Sequence, residues 1–438
     1  MDQPWRDWVV AVARVGVLVV VRLLIAGLVL LAAACAVPGT SRPASPSPIP
    51  SPPPTAVPAS PPSGSSAPPA GDGAPLVVND AAAANPELVN TQLQVPAGFN
   101  VAPHTVQLPP GYAISVLAEG LDQPRLMAFD PAGNLLVGST SGDVYRFPAA
   151  NGSIAPAAQP PAPLLSGLDA PQSLAFYGGY LYVAETGRIS RYTYGADGTL
   201  GPREVVVPNL PVDGGHFTRT VVFGPDGKMY VGIGSSCNIC NEHDERRAAI
   251  SRFNPDGTGY ERFAWGMRNP VGLAIQPGTS LLWATVNERD YQGNEIPPDL
   301  VTIVRQGQDF GWPRCQPPDA TPQIPGSNCA GVTPPTIGIQ AHSAPLGLTF
   351  YTGGQFPSDY RNDLFVAQHG SWNRQPPAPP QLLRVHFEGG RPASVRVFAT
   401  GWQIGNGEAR WGRPVGLIVA PDGSLIVSDD QAGLLYRI

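Results

Sequence analysis

Lysine is almost missing from this chain: Lys228 is the only one among 438 residues, and arginine supplies every other fixed cation. Lys228 follows the turn Pro225–Gly227, so chemistry that needs a buried lysine is nearly excluded. Charge of either sign is also sparse. Charged residues make up 14% of the chain and the formal net charge is -6. No basic run interleaved with aromatics occurs, which excludes nucleic acid as a partner. Helix-period apolar patterning is scarce as well, and the periodicity that does occur is strand-like.

What the chain has in quantity is proline and glycine, 53 and 50 residues respectively. Residues 36–85 are mostly Pro, Ser, Ala and Gly, and a segment of that kind cannot bury enough surface to offset its ordering entropy. It reads as a disordered spacer. Before it, Arg6, Arg14 and Arg22 precede an apolar stretch from Leu23 to Ala34 and then Cys35. That order resembles an export signal ending in a lipoprotein cleavage site, with Cys35 as the lipidated residue. The match is imperfect, because Leu31 lies four residues before the cysteine and such sites usually have leucine three before. An uncleaved membrane anchor is the alternative, and both place the folded part outside the cytoplasm. The division expected is thus a signal or anchor over 1–35, a linker over 36–85 and one folded domain over 86–438.

Cysteine usage agrees with an oxidising compartment. Apart from Cys35, the chain has Cys237, Cys240, Cys315 and Cys329, an even number. Haem attachment at Cys237–Cys240 would need a histidine next, where Asn241 stands, and no second CxxC completes a zinc site. Disulfides Cys237–Cys240 and Cys315–Cys329 are the expectation.

One phrase recurs six times: a proline or small polar residue, an apolar run, a turn, and a second apolar run. Its copies start at Pro124, Pro171, Thr218, Pro270, Pro345 and Pro414, roughly 45 to 75 residues apart, the self-similarity of a repeat architecture. Each copy reads as a hairpin, and a lone hairpin is marginal, so the six must bury their apolar faces against one another. The expected fold is all-β: a six-bladed β-propeller of four-stranded antiparallel blades around a central funnel.

In such a fold the residues entering each innermost strand ring one mouth of the channel. Two places before the start of each copy stand Asp122, Asp169, His216, Arg268, Ser343 and Gly412; one place before stand Gln123, Ala170, Phe217, Asn269, Ala344 and Arg413. Asp122 and Asp169 are adequately explained as strand-entry residues, and Asn269 before Pro270 as a common loop dipeptide. His216 and Arg268 are harder to dismiss. The Gly214-Gly215 turn gives a structural histidine little to pack against, and histidine is the usual general base near neutral pH. A channel-facing arginine suits an anionic partner, because its planar fork matches carboxylates.

The stretch Gly215–Val231, the run Arg268–Leu273 and Gly311-Trp312-Pro313 together resemble the glucose/sorbosone dehydrogenases, over roughly residues 110 to 438. The loops Ser235–Cys240 and Gln368–Asn373 look like the sorbosone branch. The resemblance implies a six-bladed propeller that holds pyrroloquinoline quinone and calcium and oxidises a sugar-derived alcohol or aldehyde, passing electrons to an external acceptor. It implies His216 as general base, Arg268, Asn269 and Arg413 as cofactor contacts, and Glu288-Arg289-Asp290 as the calcium stretch, bound partly through backbone carbonyls. Hard oxygen ligands from Glu288 and Asp290 suit calcium rather than zinc. Three departures stand out. The aspartate that orients the base falls at Ser235, a cofactor lysine falls near His369 and Gly370, and a second arginine of the last blade falls at Val415. His369, Trp372 and Arg374 are the residues expected to compensate.

Two other readings remain open on sequence alone. One is a non-catalytic propeller displayed on the cell surface to bind a glycan or protein. The other is a calcium-dependent lactonase-type hydrolase using Asp122, Asp169 and Asn269.

Overall fold

The computed structural model describes residues 75–315, 328–405, 407 and 409–438, so the expected signal, Cys35 and most of the linker lie outside the described residues. Apart from one short α-helix, Asp80–Ala83, and one 3-10 turn, Ser358–Tyr360, its regular structure is strand. No described helix is long and apolar enough to cross a membrane.

Six sheets form the blades, and each innermost strand is the first apolar run of one copy of the recurring phrase: Pro124–Phe129, Ser173–Tyr177, Arg219–Phe223, Asn269–Ile275, Pro345–Phe350 and Pro414–Val419. The ring is closed by the N-terminal strand Ser115–Ala118, which pairs antiparallel with the C-terminal strand Leu434–Arg437. This pairing completes the sixth blade with strands from both ends of the repeat and holds the ring shut through main-chain hydrogen bonds.

The blades are not uniformly four-stranded. The third gains Gln308–Asp309 and the fourth gains Leu76–Val77, both added in parallel, while the fifth gains Thr105–Leu108 and Val89–Gln92. Residues 75–85, expected to end the spacer, are therefore part of the folded unit: Leu76 pairs with Ile337, and the Asp80 amide donates to Gln340. Both expected disulfides are formed, Cys237–Cys240 and Cys315–Cys329.

Packing at the centre explains the wording of the repeat. In Pro270-Val-Gly-Leu273, Pro345-Leu-Gly-Leu348 and Pro414-Val-Gly-Leu417 the ladder register shifts between the proline and the leucine, forming a bulge. The glycine in each bulge faces the next blade's backbone. A Cβ on Gly347 would lie 2.5 Å from the Val415 carbonyl, and one on Gly416 would lie 2.6 Å from the Arg125 carbonyl. Gly272 is tighter still against the Leu346 carbonyl. Only glycine permits that approach. The residue between proline and glycine turns inward, and Val271, Leu346 and Val415 meet as a buried apolar plug on one half of the channel. Val415 is thus a packing residue where the resemblance would have an arginine.

The other half is polar. Thr220 Oγ1 donates to the Val271 carbonyl and accepts from Gln172 Nε2 at 3.3 Å; Gln172 Oε1 accepts from Arg125 Nη2 at 3.2 Å. Arg125 Nη1 reaches Asp430 at 2.7 Å, and Asp430 holds His369 Nε2 at 2.8 Å. From the Val271 carbonyl this chain of bonds passes through the fourth, third, second, first, sixth and fifth blades in turn. Each link contributes about 1 kcal/mol if satisfied, and more is lost if one partner is left buried alone.

Gly272→Val should cost about 2–3 kcal/mol by overpacking against the adjacent strand. Guanidinium unfolding reads it directly, and an unchanged midpoint would show that the inter-blade contact is not tight.

Candidate functional site

The loops entering the innermost strands gather on one rim, and His216 enters it from the third blade. Its turn is made by Gly214, at φ +83°, whose missing side chain lets Ser236 lie against it. His216 Nδ1 is 2.8 Å from the Ser235 carbonyl and 3.1 Å from Ser235 Oγ. A carbonyl can only accept, so Nδ1 carries the proton and Nε2 keeps its lone pair. The aspartate absent at Ser235 is therefore replaced in its orienting role by the Ser235 main chain. The Ser235 hydroxyl donates to the Cys237 carbonyl at 2.6 Å, tying this support to the Cys237–Cys240 loop.

Burial, then the guanidinium of Arg268 and, less, those of Arg247 and Arg219, together bring the His216 imidazolium pKa down to about 4 against the opposing Ser235 carbonyl. The ring is neutral at physiological pH, with an unprotonated Nε2. Asn269 and His216 both pack against the bare α-carbon of Gly234, where a Cβ would come within 2.6 Å of His216 Cβ. Asn269 Oδ1 is buried and has no hydrogen-bond partner among the described residues. An unpaired buried acceptor is costly, and it is a place for a ligand donor.

Arg268 is buried and fully oriented: Nη1 donates to the Glu288 carbonyl at 2.7 Å and Nη2 to Asp290 Oδ2 at 2.6 Å. Asp290 Oδ1 accepts from Asn373 at 2.8 Å, which couples the fourth-blade loop to the fifth-blade loop. Arg413 enters from the sixth blade and donates to the carbonyls of His369 and Gly370 at 2.8 and 2.9 Å. Arg410, which the repeat did not single out, donates to the Ser371 carbonyl. Neither Arg410 nor Arg413 has a carboxylate in ion-pair range among the described residues, and Arg413's pKa is lowered to about 10, chiefly by burial and next by Arg410. Two unneutralised guanidiniums side by side favour an anion.

The three residues expected to stand in for the missing lysine do other things. His369 is partly buried against Asp430, and loss of solvent there lowers its pKa to about 4, so it is uncharged. Trp372 is 64% exposed. Arg374 pairs with Glu295 at 2.6 Å. Arg410 is the cation beside Arg413 instead.

The expected calcium stretch does not converge. The Glu288 side chain is buried, with its pKa raised to about 7 by burial, and its carbonyl is taken by Arg268. Arg289 is fully buried and donates to the Cys315 carbonyl at 2.5 Å, while Asp290 is paired with Arg268. Nearby Asp299 is spent on the Glu288 and Ala344 amides. Arg289 and Asp290 are engaged by internal partners, Glu288 Oε2 is buried 3.9 Å from Arg289 Nε with no hydrogen-bond partner among the described residues, and no group of three acidic ligands gathers here among those residues. Among the described residues the acidic and sulfur ligands that cluster are Cys237, Cys240 and Glu242, and the two sulfurs are joined in a disulfide. Asp122 and Asp169 are exposed strand-entry residues, Asn269 is buried, and among the described residues no group of three acidic, histidine or sulfur ligands gathers at the two aspartates.

Comparison with known proteins agrees with this architecture. The aldose sugar dehydrogenase YliI of Escherichia coli (strain K12) is 25% identical over 297 residues, covering 58% of this chain and 76% of its own length. The pyrroloquinoline quinone-dependent sugar dehydrogenase of Hypocrea jecorina (strain QM6a) is 25% identical over 318 residues, covering 60% and 72%. Among solved structures, the calcium structure of Trichoderma reesei Carbohydrate-Active Enzymes Family AA12 superposes with a TM-score of 0.67 at 21% identity, covering 78% of this chain and 99% of that one. The holo form of the pyranose dehydrogenase PQQ domain from Coprinopsis cinerea gives 0.65 at 20% identity, covering 79% and 99%. At those identities the superpositions show a shared propeller fold. A family model described as TrAA12-like matches residues 106–328 and 302–438, beginning in the strand Thr105–Leu108 of the fifth blade, and the chain belongs to that family.

Proposed function

We propose that this protein is an extracytoplasmic quinoprotein dehydrogenase that oxidises a sugar, or an aldehyde or alcohol derived from one, at the rim carrying His216. The observation that carries the reading is a neutral imidazole whose Nε2 has no hydrogen-bond partner among the described residues, fixed by the Ser235 carbonyl and set beside Arg268. The relatives named above for sugar dehydrogenation with pyrroloquinoline quinone support the substrate and cofactor class.

The donor set fits a carboxylate-bearing quinone: among the described residues Arg410 and Arg413 have no carboxylate in ion-pair range and Asn269 Oδ1 has no hydrogen-bond partner. Arg268, Arg413, Arg410 and Asn269 would hold it. Pyrroloquinoline quinone, when bound, supplies a two-electron acceptor for hydride. His216 Nε2 takes the substrate hydroxyl proton as the same carbon gives up hydride, so a lactol becomes a lactone with two electrons and two protons released. Ser235 holds the ring in the productive tautomer throughout. An external acceptor then removes the electrons. The two disulfides suit export, and anchoring through residues 1–35, with Cys35 lipidated, completes the proposal.

The test is dye reduction by purified apoprotein given the quinone, calcium and a panel of aldoses and sorbosone-like sugars. Turnover is expected, and His216→Asn should lower kcat by about 10²–10⁴-fold. A folded wild-type protein with no reduction would sink the reading. The pH response has a definite sign. Anionic carboxylates delivered beside the rim arginines offset the positive field on His216, so its pKa should climb from about 4 when the quinone is added. NMR titration of His216 with and without quinone reads this, and a pKa that stays put or falls would contradict it.

A further inference from the structure

The two most exposed large apolar residues among those described stand together beside the rim. Tyr291 is 73% exposed and Trp372 is 64% exposed, and their rings meet edge to face at 5.5 Å and 88°. Tyr291 directly follows Asp290, the partner of Arg268, and Trp372 directly precedes Asn373, the partner of Asp290. The pair therefore lies just outside the charged cluster next to His216.

Neither ring is exposed through looseness. Asp290 exchanges two bonds with Asn238, its amide donating at 2.8 Å and its carbonyl accepting at 3.1 Å. The two aromatic loops are clamped by Asn294 Nδ2 to the Gln375 carbonyl at 2.5 Å, by the Gln375 amide to Asn294 Oδ1 at 3.2 Å, and by Arg374 to Glu295 at 2.6 Å. Tyr291 itself is held at φ +64°, a left-handed backbone that a bulky side chain adopts only when its surroundings force it. Strain kept in order to present a ring to water points to a ligand. Beside the rings, Asn373 Oδ1 is buried and has no hydrogen-bond partner among the described residues.

Resting on the sugar-oxidising reading, we infer that Tyr291 and Trp372 form a stacking subsite for a second sugar ring, so that the substrate is an oligosaccharide whose reducing end lies at His216. A pyranose offers an apolar C–H face for the aromatic surface and equatorial hydroxyls for Asn373 Oδ1. A lipid chain would need a continuous apolar patch, whereas the loops that carry these rings are joined by the polar pairs Asn294–Gln375 and Glu295–Arg374.

Two measurements test it. Cellotetraitol and maltotetraitol, which have no reducing end to oxidise, are titrated into apoprotein and read by the fluorescence difference between wild type and Trp372→Phe. Saturable quenching by at least one of them is expected, weakened about tenfold in Tyr291→Ala. In quinone-loaded protein, the ratio of kcat/KM for the matching tetrasaccharide to that for glucose should fall about tenfold in Trp372→Ala. Quenching without oxidation of any sugar would keep the subsite and discard the enzymatic reading. Oxidation with an unchanged ratio, or no quenching by either alditol, would overturn the subsite.

Discussion

The rest of this structure depends on how closely consecutive innermost strands approach one another. Gly272, Gly347 and Gly416 place backbone against backbone across three blade boundaries, and hydroxyls bridge the same seams, with Thr285 Oγ1 on the Leu346 carbonyl and Ser428 Oγ on the Arg125 carbonyl. Such contacts allow no room for slippage, so the loops that enter each strand are fixed in relation to their neighbours. A site assembled from four blades needs that precision, because a rim residue displaced by an ångström loses its hydrogen bonds.

On that frame the channel is divided by chemistry. Val271, Leu346 and Val415 fill one half, while Arg125, Gln172 and Thr220 run a bonded chain along the other to Asp430 and His369. The plug keeps water from the apolar side, and the chain pins the fifth-blade loop whose carbonyls orient Arg413. Asp430, held down to about 2 by His369 and Arg125, stays ionised over the whole working range of pH. Burial acts in opposite directions on the rim's groups: it raises Glu288 and Asp299 to about 7 and lowers His216 to about 4, which leaves the arginines as the rim's dependable charges.

Much of the fold was legible, because six copies of one phrase place six hairpins, and only glycine in the Pro-x-Gly-Leu copies fits a bulge against a neighbour. The added outer strands were not legible: Leu76–Val77, Val89–Gln92 and Gln308–Asp309 are too short to show a period, and their pairing is decided by tertiary contact. Within the site, aligning the copies brought out His216, Arg268, Asn269 and Arg413, since entry positions share a rim. Arg410 escaped because it lies outside the phrase, three residues before Arg413. Spacing could not foretell that Glu288 and Arg289 turn inward, or that His369 turns to Asp430, because those orientations follow from buried partners remote in sequence.

Equilibrium dialysis of the purified protein against pyrroloquinoline quinone tests the central claim most directly, because the claim is that this rim is a built anion site beside a poised base. The account predicts saturable uptake that weakens steeply with added salt and drops at least tenfold in Arg413→Ala and in Arg410→Ala, as charge-assisted pairing requires. No uptake by a folded wild-type protein, or uptake indifferent to both arginines, would contradict it.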